Sequence, residues 1–258
     1  MKTLYTSAAA AVLLASATGV MAQEEDAAEV QTWEVAAELG AISTSGNTET
    51  TSVNGRIDAT QNLQNWKNEF VASVLYKEDQ IEKDSGVEVT ETTAEKYFGS
   101  AKSSYLFDDE FSSLFGFASH THDEFGSYRD YTVVSLGYGA RFINNDTLTL
   151  DGEIGPGYFW GDKVEDEAND IIVSEEGFMV RVAGELNWRI TENATFNQQL
   201  AAEAADANTR YLSDTSLSTK ISDRMQMKVG YTVNHDTDVA DDKEGTDTTT
   251  YINLVYNF

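Results

Sequence analysis

The chain has 258 residues, with 17 Lys plus Arg against 44 Asp plus Glu, a formal charge of −27, one Pro and no Cys. That acid excess excludes a nucleic-acid binder, which needs a basic footprint for phosphate, and the missing Cys excludes disulfides, thiolate metal sites and a lipidated N-terminal cysteine. A mean hydropathy of −0.39 leaves no room for a bundle of membrane helices, yet it suits a membrane barrel, whose strands are apolar only at alternate residues.

Residues 1–22 read as a signal peptide: Lys2 supplies the positive start, Ala8 to Ala15 the short apolar stretch, and Val20-Met21-Ala22 the small residues that precede cleavage. That stretch is too short to span a bilayer. The expected organisation is a signal peptide at 1–22, a short acidic segment at 23–31 and one exported folding unit at 32–258.

From Trp33 onward the hydrophobic period is two, and helical periodicity is nearly absent. Trp33-Val35-Ala37-Leu39-Ala41 opens the series, followed by Val53-Gly55-Ile57-Ala59, Phe70-Ala72-Val74-Tyr76 and Tyr97-Gly99-Ala101-Tyr105. Phe115-Phe117, Val134-Leu136-Tyr138-Ala140-Phe142, Leu148-Leu150-Ile154 and Phe178-Val180-Val182-Leu186-Trp188 continue it in the same phase. Phe196-Leu200-Ala202, Leu217-Ile221, Met227-Val229-Tyr231-Val233 and Ile252-Leu254-Tyr256-Phe258 complete twelve predicted strands.

Short turns at 62–65, 108–110, 144–146, 191–193 and 222–223 alternate with longer connections, the asymmetry of outer-membrane barrels with their short periplasmic turns and longer outer loops. The segments 78–96, 162–176 and 236–247 read as acidic loops that carry 20 of the 44 acids, all at one end of the molecule. Aromatic residues sort into two groups. Trp66, Tyr105, Phe107, Phe142, Trp188, Phe196 and Phe258 lie beside short turns or the C-terminus, while Tyr76, Tyr97, Tyr158, Trp160, Phe178 and Tyr211 lie beside long loops, as two interfacial girdles would require. The single Pro156 is expected near a strand's loop end or at a bulge with Gly155 and Gly157, because an interior strand loses a ladder bond at proline. Thr250, Ile252, Leu254, Tyr256 and Phe258 share one face and end on an aromatic residue, the kind of strand that outer-membrane assembly machinery reads. The fold class is therefore all-β, a transmembrane antiparallel barrel of about 12 strands.

With the apolar phase toward lipid, the opposite phase lines the lumen. It brings in Glu34, Glu38, Arg56, Asp58, Glu69, Lys102, Arg141, Asp151, Glu153, Arg181, Glu185, Arg189, Glu203, Lys220 and Lys228. Charges of both signs either pair to fill a narrow barrel or wall an aqueous pore of little net selectivity. His120-Thr121-His122-Asp123 places two imidazoles two residues apart on one strand face, a spacing that can chelate a metal, but two imidazoles with no fixed third ligand read as solvated loop-edge residues, and His235-Asp236 lies near another loop. Ser119 or Ser127 beside His120 or His122 would be needed for a barrel-mouth lipid hydrolase or acyltransferase, and no motif marks them. Clustered carboxylates in the acidic loops suit loose bridging of divalent cations to lipopolysaccharide phosphates better than a dedicated calcium site. No catalytic, cofactor-binding or metal residue is nominated, and no cofactor is expected.

Taken together, several short segments resemble a known family. Trp33, Gly40 and Ser45-Gly46-Asn47-Thr48 lie in the first hairpin; Asp123 to Phe125, Arg129, Gly137-Tyr138-Gly139 and Glu153-Ile154-Gly155-Pro156-Gly157-Tyr158 follow in the middle. Gly245, Asp247 and Leu254-Val255-Tyr256-Asn257-Phe258 close the chain. In order and spacing these resemble the domain-of-unknown-function 481 family of YdiY-like salt-induced outer-membrane proteins. The resemblance implies an outer-membrane barrel, a loose link to salt or osmotic conditions, and no catalytic or ligand residues to carry over. The functional expectation is a structural or passive small-solute and ion permeation role. The alternative is a closed barrel whose acidic outer loops bind divalent cations or a partner. The expected neighbours are outer-membrane lipid, lipopolysaccharide and the assembly machinery.

Overall fold

A computed structural model describes residues 32–44, 50–82, 88–109, 111–166, 171–240 and 243–258. The expected signal peptide at 1–22, the expected acidic segment at 23–31 and the residues Ser45-Gly46-Asn47-Thr48 lie outside the described residues. Twelve strands follow in chain order: β1 (Trp33–Thr44), β2 (Thr50–Asn62), β3 (Trp66–Glu82), β4 (Glu88–Leu106), β5 (Ser112–Asp123), β6 (Tyr128–Asn144), β7 (Leu148–Asp166), β8 (Ile171–Arg189), β9 (Ala194–Ala205), β10 (Thr209–Lys220), β11 (Met225–Asp236) and β12 (Thr246–Asn257). Each pairs antiparallel with its sequence neighbours, and β12 returns to β1, so the sheet closes into a barrel with no free edge.

The outward phase is the one the sequence implies. Leu136 and Phe142 are about 70% exposed and Phe178 83%, with Leu39, Ile57, Ile154, Leu200, Val229, Ile252 and Leu254 beside them on the outer wall. Aromatic side chains border this apolar band at both ends: Trp33, Trp66, Tyr105, Trp188 and Phe258 near the short turns, and Tyr76, Tyr97, Trp160 and Tyr211 near the long hairpins. A surface of this kind is costly in water and favourable against lipid.

The short turns are built by side chains that accept local backbone hydrogen bonds, which is why Asp, Asn and Thr occupy them. Asp109 Oδ1 accepts from the amides of Phe111 and Ser112, Asn145 Oδ1 from those of Thr147 and Leu148, and Thr191 Oγ1 from those of Asn193 and Ala194.

Three sequence expectations change. Most of the residues at 78–96 and 162–176 extend the flanking strands: pairing continues to Glu82↔Glu88 and to Asp166↔Ile171, with shifts at Lys77/Glu78 and Val164/Asp166. Interleaved threonines and the Ile171-Ile172-Val173 run favour strand, and carboxylates there find local donors. Asp79 accepts from Thr50, Lys77 and Thr93 at 2.6–2.7 Å.

Secondly, Phe115 and Phe117 point inward. Leu114 pairs outward with Tyr105 and Ala118 with Ala101, which fixes the phase of β5, and Phe115 is 3% exposed. Small residues make the space: a Cβ on Gly137 would come within 2.7 Å of the Phe115 ring and 2.3 Å of the Ile154 carbonyl.

Thirdly, Pro156 sits in the middle of β7, away from any loop end. It faces outward and pairs with Val180 of β8, while on the β6 side the ladder is interrupted between Ser135↔Gly157 and Tyr138↔Ile154 without an added residue. The strands approach closely there, with Gly137 and Gly155 each lying where the other strand's backbone would strike a side chain.

An interior apolar cluster on β6–β8, Tyr128, Tyr131, Val133, Phe159 and Met179, fills the wall near the long-hairpin end, with Phe117 and Ala205 packed against it. The ring closes by a short joint. β1 and β12 share four ladder pairs, Ala36↔Asn257 to Leu39↔Leu254, against twelve between β1 and β2.

Candidate functional site

Inside the ring, a cavity of about 1110 Å³ is lined by residues from all twelve strands. It runs from the short-turn rim at Asn62, Asp108 and Ser112 to the level of Lys96, Thr121, Tyr131 and Arg210. Its wall carries bases and acids in near balance, so the chain's acid excess lies mostly elsewhere.

These charges form chains of alternating sign. Lys67 Nζ lies 2.8 Å from Glu69, Lys102 Nζ bridges Glu69 at 2.9 Å and Glu153 at 2.7 Å, and Arg181 continues to Glu153 at 3.4 Å and Glu203 at 3.7 Å. The run passes from β3 through β4 to β7, β8 and β9, and the Arg181 guanidinium stacks 4.1 Å over the Phe117 ring. The inward aromatic phase of β5 therefore serves the charge lining. A second group lies against the β1/β12 joint. Lys228 Nζ meets Glu38 at 2.8 Å, Asn253 donates to Glu38 at 2.9 Å, Asn54 donates to Asn253 at 2.8 Å, and Tyr251 donates to Asp214 at 3.1 Å. Arg141 grips Asp151 with two bonds of 2.7 and 3.0 Å, and Arg56 grips Asp58 likewise. Two-pronged pairs of this type hold guanidinium and carboxylate in fixed orientation.

Most of the nominated inward residues are where the period places them. Glu34, Arg189, Lys220 and Lys228 do not line the cavity. Lys228 is nonetheless interior through Glu38, whereas Arg189 donates to the Asp146 carbonyl at a short turn and Glu34 and Lys220 are exposed near that rim. Lys67, Lys96, Arg210 and Asp214 line the cavity without having been nominated. Carrying the phase of Phe70, Tyr97 and Tyr211 one residue further would have found them.

His120 and His122 stand on the outer face of β5, joined by Asp130. His122 Nδ1 is 2.9 Å and His120 Nε2 3.5 Å from Asp130 Oδ1. Asp123 instead pairs with Lys96 at 2.9 Å, so the tetrapeptide does not gather around one point. Among the described residues no group of three or more His, Asp or Glu is disposed to hold a metal. Ser119 lines the cavity while His120 faces out, and Ser127 is buried at the β5–β6 turn, so no serine–histidine pair forms on this strand.

At the long-hairpin end, Asp238 and Lys243, which lie between β11 and β12, make contacts with the far wall. Asn208 anchors the near side: its side chain donates to Asp236 at 2.7 Å and accepts from the amides of Thr237 and Asp238 at 2.9 and 3.1 Å. Arg210 lies 3.6 Å from Asp236 and stacks 4.4 Å over Tyr131. Across the ring, Asp238 meets Lys163 of β7 at 2.7 Å, and Lys243 Nζ donates to the carbonyls of Phe125 and Gly126 at 3.1 and 3.3 Å. β7 is four strands from β11, and the β5–β6 turn lies near the opposite wall from β12. Burial works against the Lys163 charge, but Asp238 and Glu165 prevail and its pKa is raised.

A family model described as a protein of unknown function, DUF481, matches residues 37–258. The chain belongs to the DUF481 family. This DUF481 chain is 31% identical over 168 residues to the uncharacterized protein YdiY of Escherichia coli (strain K12), an alignment spanning 65% of this chain and 64% of that relative's length. Among solved structures, the NanC porin is similar at 12% identity with a TM-score of 0.48, covering 86% of this chain and 98% of its own. An outer membrane channel of the COG4313 group from Pseudomonas putida F1 is similar at 11% identity and a TM-score of 0.46, with coverage of 88% and 94%. The translocator domain of the autotransporter NalP from Neisseria meningitidis is similar at 9% identity and 0.45, with coverage of 88% and 87%.

Proposed function

We propose that this DUF481 member is a non-enzymatic outer-membrane barrel that passes small ions and solutes along a charged lumen, in a role tied to the salt or osmotic state of the envelope. The observation that carries the reading is the cavity of about 1110 Å³ bounded by all twelve strands and walled by charges of both signs. An apolar outer face between two aromatic rings supports the membrane location, and the family resemblance supports the link to salt. An even strand number keeps the start of β1 and the end of β12 on one side, with the short turns, so the short turns face the periplasm and the long hairpins the exterior. Lipopolysaccharide then surrounds the acidic outer hairpins, and the face ending in Leu254, Tyr256 and Phe258 meets the assembly machinery.

Charges lining a pore raise the local concentration of the opposite ion. Replacing Arg141, Arg181 and Arg210 together by Gln should move the reversal potential of purified protein in planar bilayers toward cations, most at low salt, where screening is weakest. The contacts of Asp238 and Lys243 with the far wall favour a second reading, a closed barrel that binds cations or a partner through its acidic hairpins. No current at any salt concentration, both in the wild type and with 237–245 replaced by a two-residue turn, would decide for that second reading.

A further inference from the structure

We propose that the lumen holds a binding site for organic cations that carry an apolar ring, seated at an apolar waist between two polar levels. The inference rests on the permeation reading only for its effect on current. On β10 the inward side chains, read from the long-hairpin end, are Arg210, Leu212 and Asp214; on β9 they are Glu203, Ala201 and Gln199, and on β8 Arg181, Ala183 and Glu185. The ladder places like beside like. Arg181↔Glu203↔Arg210 forms an upper charged row, Ala183↔Ala201↔Leu212 an apolar row, and Glu185↔Gln199↔Asp214 a lower acidic row. β9 and β10 stand six strands from β3 and β4 in the ring of twelve, directly across the lumen. There the order repeats: Val71 and Leu75 follow Glu69 on β3, and Phe98 lies between Lys102 and Lys96 on β4. All six apolar residues line the cavity and are half-buried.

Apolar side chains facing a wet lumen cost free energy in proportion to the area wetted, and a bound ring recovers it. The cavity of about 1110 Å³ has room for such a ligand, since ordinary small-molecule sites occupy roughly 300–1,000 Å³. The sign of the ligand's charge follows from the neighbours. In the upper row each guanidinium has a carboxylate, Arg181 with Glu203 at 3.7 Å and Arg210 with Asp236 at 3.6 Å. Glu153, beside Ala183, is shared by Lys102 and Arg181. The lower row differs. Glu185 accepts amide hydrogen bonds from Asn187, Asn197 and Gln199 at 3.0–3.4 Å, and the Asp214 carboxylate accepts from the Tyr251 hydroxyl at 3.1 Å. The cations whose fields reach them, Arg141 for Glu185 and Arg56 and Lys228 for Asp214, are already engaged by Asp151, Asp58 and Glu38. Two carboxylates without a cation of their own, at the foot of an apolar waist, select a positive end on a ligand whose ring sits between Leu212 and Phe98.

Benzyltrimethylammonium is the probe, with a ring and a permanent positive charge; tetramethylammonium lacks the ring, and benzenesulfonate reverses the charge. Saturation-transfer NMR titrations of folded protein in nonionic micelles, with empty micelles as control, read binding. Block of potassium chloride current in planar bilayers reads the effect on permeation. Benzyltrimethylammonium should bind at least about tenfold tighter than either other ion and block at correspondingly lower concentration. Phe98→Asn with Leu212→Asn should weaken it about tenfold, and Glu185→Gln with Asp214→Asn should remove its preference over benzenesulfonate. Ala201→Phe, which fills the waist without adding a polar group, should by itself abolish binding. Heat-modifiable migration on gels checks that each variant has folded. Equal binding of the three ions, or binding that no folded variant alters, would overturn the waist site. Selective binding with no current in any sample would uphold the site and overturn permeation, whereas current without binding or block would overturn the site and leave permeation standing.

Discussion

Lys102 is the residue on which the lumen's longest charge chain turns, and its removal gives the sharpest test of whether that chain stabilises the barrel. Its ammonium lies 2.9 Å from Glu69 and 2.7 Å from Glu153, and all three side chains are about one-fifth exposed. At an effective dielectric of about 20, each contact carries roughly 6 kcal/mol of attraction before desolvation, which cancels most of it. Lys102→Met leaves two carboxylates facing each other without their shared cation. The net cost should be about 3 kcal/mol, at the low end for breaking a buried pair, because lumen water still reaches the acids. At ~2–4 °C per kcal/mol for a unit of this size, the midpoint of heat-induced gel shift should fall by about 6–12 °C. Replacing all three, Lys102→Met with Glu69→Gln and Glu153→Gln, removes the two carboxylate charges that the lost cation had held together and should recover most of the loss. A single variant within about 2 °C of wild type, or a triple variant as unstable as the single, would refute the account.

Deleting Phe258, or replacing Leu254 and Tyr256 by Asp, should impair assembly while leaving export intact, measured as loss of the heat-modifiable form from the outer-membrane fraction. Thiols introduced at Ser174 should react on whole cells with an impermeant reagent, whereas thiols at Asp146 and Glu192 should react only after the outer membrane is opened; reaction at all three sites would reverse the sidedness. Hydrogen bonds from Lys77, Thr50 and Thr93 hold Asp79 down to about 2. Its folded pKa lies below the unfolded value of about 4, so the stabilisation is whole above about pH 4 and is lost as pH falls through about 2. Carboxyl NMR titration should show that low midpoint, and Thr50→Val with Thr93→Val should raise it.

The period of two made the barrel legible because the strands present one alternating apolar face to the outside of the ring. Phe115 and Phe117 misled for the same reason. A period locates two faces but does not say which is inside, and only the register to Tyr105 and the space above Gly137 decide it. Acid content alone hid the strand character of the segments at 78–96 and 162–176, where Thr50, Thr93 and Lys77 satisfy Asp79 in the first and Ser174, Lys163 and Tyr128 reach Asp162, Glu165 and Glu175 in the second. Inward charges could be read singly from phase, but their partners could not. Lys102 and Glu153 are 51 positions apart and meet because the sheet curls, and Lys228 meets Glu38 only once the ring has closed. The far-wall contacts of Asp238 and Lys243 left no local signal, since the receiving groups are a lysine on β7 and backbone carbonyls of the β5–β6 turn.

The four-pair joint between β1 and β12 gives the molecule a clasp. Eleven of its twelve strand pairings join neighbours in sequence and can re-form locally after a disturbance, whereas the clasp must bring together Ala36 and Asn257, 221 positions apart. Until it fastens, the chain is a curved ribbon with two bare edges and no inside. The cluster of Glu38, Asn253 and Lys228 behind the joint is thus placed where interior and exterior are first distinguished, and a substitution there acts on the existence of the vessel, while one elsewhere acts on its contents.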